Sequence, residues 1–218
     1  MLQRCGGSGL SRLGVLIKHA LTGSHTLTDT QAATAVHRYQ HLLRAVGDGI
    51  KLTAAGYLPP RTVHTLYTDL DLHEDWIGSG NREDLTLPVL DLRHTATTLG
   101  LLRKHNGHLT LTRAGRQHVD NPRQLLAHIG SRLPTGRPEE RDAGLLALLH
   151  DAADQPQDPE QAPANILQRL GWRVAGTTLD SANDHWARLT NTVLDHLTEH
   201  YLNRSIRATI ARTLLRRT

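Results

Sequence analysis

Leu99-Gly100-Leu101-Leu102-Arg103-Lys104-His105-Asn106-Gly107-His108-Leu109-Thr110-Leu111-Thr112 is the stretch that decides the fold. Two short runs flank Asn106-Gly107. Asn-Gly is the strongest short hairpin signal, because both central positions of a type I′ turn need positive φ. A β-hairpin of Leu101 to His105 and His108 to Thr112 is therefore predicted.

Upstream, Leu85, Val89, Leu92, Ala96 and Leu99 recur at spacings of three and four, and Gly100 stops the run. That pattern predicts a helix over about 87–99 with one apolar face. Before it, Pro59-Pro60 opens a helix whose apolar positions are Val63, Leu66, Tyr67 and Leu70. Earlier still, Thr28 and Gln31 have the spacing of a capping box, followed by Val36, Tyr39, Leu42, Leu43 and Val46. Gly47 ends that helix, and Ile50-Lys51-Leu52 alternates as a short strand. The order is helix, strand, helix, helix, hairpin. This is the layout of a winged helix-turn-helix, with the hairpin as wing and 87–99 as recognition helix.

The hairpin runs on into Leu111-Thr112-Arg113-Ala114-Gly115-Arg116. A wing closing in this way resembles bacterial MarR-type and PadR-type regulators; the resemblance implies that Thr112 caps the next helix and that Gly115 lets it pack closely. A narrower resemblance covers about residues 47–135. Its strings are Ile50 to Pro60, Asn81-Arg82-Glu83-Asp84, and Leu99 to Lys104 with the wing. These are similar to bacterial plasmid-type open-reading-frame-three-like proteins and related hypothetical proteins of high-GC bacteria, whose function is unsettled. It implies a fold rather than an activity. Residues 50–56 are also echoed at 109–115, a shift of 59 positions. A duplication and a strand-then-capped-helix written twice both account for it, and the unrelated flanks favour the second.

Downstream, Asn121-Pro122 starts a helix through Leu133, and Pro134 to Pro138 is a linker. A helix with Leu145, Leu146, Leu148 and Leu149 follows, then a proline-bearing acidic loop over 151–163. Ser181 and Asp184 form another capping box, ahead of Trp186, Leu189, Val193, Leu197 and Tyr201. The final helix places Leu202, Ile206, Ile210 and Leu214 on one stripe, with arginines around it. The expected organisation is a flexible N-terminal tail at 1–27, with a short amphipathic helix at 10–21 as the alternative. A winged-helix domain at 28–119 comes next, then a bridging helix and linker at 120–137. A C-terminal helical domain occupies 138–218, either a degenerate second winged helix or a plain bundle. The fold class is mainly α with a small β-hairpin.

Composition narrows the function classes. The 218 residues are 38% apolar, with Lys+Arg 25 against Asp+Glu 21 and a single cysteine. One thiol cannot form an intrachain disulfide, no run of 18 apolar residues spans a bilayer, and residues 1–27 lack a secretory leader pattern. A cytoplasmic protein without membrane partners is expected. Gly6-Gly7-Ser8-Gly9 lacks the strand and lysine of a phosphate-binding loop.

Charge is unevenly placed. From Asp91 to Arg116 the balance is +4, through Arg93, Arg103, Lys104, Arg113 and Arg116. His94, His105 and His108 add donors, and Arg93 or Thr97 stands where a recognition helix reads bases. These nine residues are the candidate contacts to double-stranded DNA, in a transcriptional or plasmid-type regulator. Against this, Asp69 to Asp84 has a balance of −5 and reads as a solvated loop. It separates the second and third helices by about 15 residues, where a helix-turn-helix uses 3–4. The alternative is a protein-interaction module or homodimer built on the same fold. A third reading comes from His196-Leu197-Thr198-Glu199-His200, the His-x-x-Glu-His pattern of inverted zincins. Only 18 residues remain downstream for a third ligand, and 15 histidines make a chance match cheap. No cofactor, metal or catalytic residue is assigned.

Overall fold

The computed structural model describes residues 7–23, 26–73, 76–154, 166, 179–198 and 204–216. Among them the chain is mainly helical, with nine α-helices, one 3-10 turn and one small antiparallel sheet. It divides into two compact units, Asp29–His128 and Met1–Thr28 with Ile129–Thr218.

The unit Asp29–His128 opens with α2 (Asp29–Val46), which follows α1 of the other unit. Ala32, Ala35, Val36, Tyr39, Leu42, Leu43 and Val46 are buried along it at spacings of three and four. Strand β1 (Ile50–Lys51) leads to α3 (Pro60–Asp69), where Pro60 sits in the first turn and Val63, Leu66 and Tyr67 face inward. A 3-10 turn (Glu83–Leu85) precedes α4 (Leu87–Thr98), which buries Val89, Leu92, Thr95 and Ala96. Leu85, expected on that apolar face, is 60% exposed, because the helix begins only after it.

Tyr39 joins α2 to α4. Its buried hydroxyl donates to Thr95 Oγ1 at 3.1 Å, and Thr95 in turn donates to the backbone of its own helix. Burial pushes the Tyr39 phenol above its ordinary pKa, against the Thr95 contact.

Strands β2 (Leu102–His105) and β3 (His108–Leu111) form the expected hairpin, with Asn106 and Gly107 both at positive φ. The sheet order is β1-β3-β2, all antiparallel. The register pairs Ile50 with Leu109 and Lys51 with His108, and Arg103 with Thr110 and His105 with His108. The echoed segments therefore contribute neighbouring strands. Their sequels differ. Thr53 to Gly56 closes a turn, with Gly56 N–H donating to the Thr53 carbonyl at 2.8 Å. Thr112 instead caps α5 (Arg113–His118), accepting from Gly115 N–H at 3.1 Å.

The hairpin is locked to α5 by that cap. Thr112 Oγ1 also donates to the Gly100 carbonyl at 2.6 Å. A Cβ at Gly115 would stand 2.3 Å from the Leu101 carbonyl oxygen, so only glycine permits this approach. Gln40 donates to the Val119 carbonyl at 2.6 Å, and Arg44 pairs with Asp120 at 3.1 Å, tying the chain after α5 back to α2. The boundary between the units falls within α6 (Pro122–Arg132).

The other unit holds α1 (Gly7–Thr22), α7 (Pro138–Ala153), α8 (Leu179–Thr198) and α9 (Arg204–Leu215). The segment expected as a tail carries α1, the helical alternative, and packs Leu16 with Ala143, Leu146, Ala147, Ala153, Ile166 and Ala187. Helix α7 starts at Pro138, directly after the predicted linker, and Glu140 returns to the Arg137 backbone in a capping box. Val193, Leu197, Ile210 and Leu214 are buried as their spacing predicts. Arg207 of α9 reaches Asp151 at 3.0 Å and Asp195 at 2.8 Å. Burial opposes its charge, yet the two carboxylates hold the guanidinium above its ordinary pKa.

Candidate nucleic-acid interface

The three-stranded sheet sorts its basic residues by pleat. Leu109 and Leu111 are buried, so their strand neighbours His108 and Thr110 point the other way. Paired residues share a face, which puts Lys51, His108 and His105 in one row across β1, β3 and β2. Arg103 lies two residues from His105 on the same face, and its Nε is 3.4 Å from Thr110 Oγ1. Lys51, Arg103, His105 and His108 are all exposed. Among the described residues none of the four faces a carboxylate within ion-pair distance.

Lys104 sits in register with Leu109, on the opposite pleat, yet its side chain is exposed. Its ammonium lies against Gly56, beside the turn after β1. Arg113 is exposed at the start of α5; Arg116 donates to the Leu111 carbonyl at 2.8 Å with much of its side chain in solvent. Six cationic or imidazole side chains of the candidate set thus cluster on or beside the hairpin: Arg103, Lys104, His105, His108, Arg113 and Arg116. Lys51 joins them through β1. It was absent from the candidates because its neighbours in space are 57 residues away in sequence; the Ile50/Leu109 echo was the available signal.

Helix α4 is different. Arg93 donates Nε–H to Oε1 of Glu83, with the Glu83 side chain fully buried and that of Arg93 16% exposed. The other carboxylate oxygen of Glu83 accepts from Leu58 N–H at 2.6 Å. A buried charge needs such partners, since desolvation otherwise costs several kcal/mol. Arg93 is therefore occupied in an internal ion pair rather than presented on the helix surface. Glu83 also corrects the reading of its stretch as a solvated loop; Asp84 beside it pairs with Arg82 at 2.7 Å. Thr97 and Thr98 are exposed, but their hydroxyls donate to the Arg93 and His94 carbonyls at 2.9 and 3.1 Å. His94 is exposed. The recognition-helix candidates and the wing candidates thus differ in how much donor capacity they have left for a ligand.

His196 of the His-x-x-Glu-His pattern is buried on α8, and Glu199 and His200 lie outside the described residues. Among the described residues no group of three or more His, Cys, Asp or Glu could hold a metal ion, and no helix is long and apolar enough to cross a membrane. No family model, curated protein or solved structure matches the chain.

Proposed function

We propose that this protein is a winged-helix, DNA-binding protein, of the kind that serves in transcription or plasmid maintenance. The order α2, β1, α3, α4, β2, β3, with β1 laid against β3, the second strand of the hairpin, supports the winged-helix reading. The observation that carries DNA binding is the row of exposed basic side chains on the sheet, none of which meets a carboxylate among the described residues. Phosphate contacts need such cations, and releasing condensed counterions gives them affinity that falls with salt.

The test is fluorescence anisotropy of a labelled random 30-base-pair duplex, titrated at two salt concentrations. Micromolar binding that weakens steeply with salt, and is lost in Arg103→Ala/Lys104→Ala, is the expected result. No binding at low salt overturns the reading, because specific binders also retain electrostatic affinity for any duplex.

A second reading, a protein-interaction module, draws on another part of the same unit. Trp76, which precedes Ile77, donates its Nε1–H to the Leu85 carbonyl at 3.0 Å. Ile77 is fully exposed, and Leu87 is exposed as well. Apolar side chains in solvent beside a carboxylate such as Asp84 suit a protein partner better than a phosphate backbone.

A further inference from the structure

We infer that the outer face of the wing, and not helix α4, makes the contacts to DNA, and that the duplex is therefore recognised by its phosphate backbone with little regard to base sequence. This rests on the DNA-binding reading above.

The two surfaces differ in donor capacity. Reading base edges in the major groove takes side chains that make paired hydrogen bonds: Arg or Lys to guanine, Asn or Gln to adenine. Residues 87–98 are Leu-Pro-Val-Leu-Asp-Leu-Arg-His-Thr-Ala-Thr-Thr, with no Lys, Asn or Gln and one Arg. That Arg93 is bound to the buried Glu83. Thr97 and Thr98 spend their hydroxyl protons on their own helix. His94 is left as the one exposed ionisable side chain of the helix, and a single imidazole is a poor base reader.

The sheet face has the opposite character. Strands lie about 4.8 Å apart, so Lys51, His108 and His105 span about 10 Å. Arg103 extends the patch by about 7 Å along β2. At one charge per about 1.7 Å of duplex axis, a patch of this size faces several phosphates at once. Long, mobile Lys and Arg side chains on a ribbon surface suit point contacts to phosphate oxygens. Asp48, the acidic residue nearest in sequence, lies three positions before Lys51, toward the Leu111 end of β3. Within the negative stretch after α3, the Trp76 carbonyl is held to α3 by Tyr67, and Glu83 to the middle of α4 by Arg93.

The experiment uses the full chain and three labelled 30-base-pair duplexes: random, all A·T and all G·C. Affinities within about threefold across the three are expected. Lys51→Ala/Arg103→Ala should bind every duplex at least tenfold more weakly, with a log–log salt slope reduced by about 2 as two phosphate contacts are lost. His94→Ala/Thr97→Ala should stay within twofold of the wild type on all three. Circular dichroism confirms that each variant is folded. A strong preference for one duplex that the α4 variant abolishes would overturn the inference and leave DNA binding standing. Retained affinity in the sheet variant would overturn it too. Absence of binding to all three duplexes at low salt would instead remove the DNA-binding reading itself.

Discussion

Arg93 of α4 and Glu83 of the preceding 3-10 turn form an ion pair in which the carboxylate is wholly shielded from water. The same carboxylate accepts the Leu58 N–H, so one side chain holds three segments: the approach to α3, the turn and α4. This pair joins the long α3–α4 connection to the helices on either side of it. Removing one partner strands a buried charge. Arg93→Ala should therefore destabilise the protein by about 3–5 kcal/mol, read as a lower urea midpoint with an unchanged slope. Arg93→Met/Glu83→Leu, which removes both charges, should recover part of the loss, the remainder of about 1–3 kcal/mol being the buried Leu58 N–H left without its acceptor. If Arg93→Ala cost under about 1 kcal/mol, the pair would not be holding the connection.

Gly115 packs against the carbonyl of Leu101 more closely than any side chain permits. The Cβ of alanine would come within 2.3 Å of a backbone oxygen, which cannot swing aside as a side-chain end could. Gly115→Ala should cost about 1–3 kcal/mol despite alanine's better helix propensity. Gln117→Ala, at an exposed position of the same helix, serves as the comparison and should change stability by under about 0.5 kcal/mol. Thermal unfolding of both variants checks the difference.

Much of this unit was legible in the sequence because its signals are local. Asn106-Gly107 forces its turn by backbone conformation, and α2, α3 and α4 each carry an apolar stripe that only a helix would bury on one side. What could not be read depends on distant partners. Glu83 looks like its neighbour Asp84 in the sequence, and burial separates them only once Arg93 and Leu58 are placed around it. Lys51 lacks a basic sequence neighbour, and its row with His105 and His108 exists through strand pairing alone. The wing candidates were found from charge density, which is local. The role given to Arg93 failed to foresee its partner because helical periodicity places a residue on a flank without saying what packs there.

Thr112 closes the hairpin and opens α5 with one side chain. It accepts from Gly115 N–H and donates to the Gly100 carbonyl, satisfying groups at a helix start and a strand start together. Thr112→Ala should cost about 0.5–2 kcal/mol, the range for a lost helix cap. Thr112→Ser keeps the oxygen and should recover most of it. Equal losses for Ala and Ser would assign the effect to the methyl group instead.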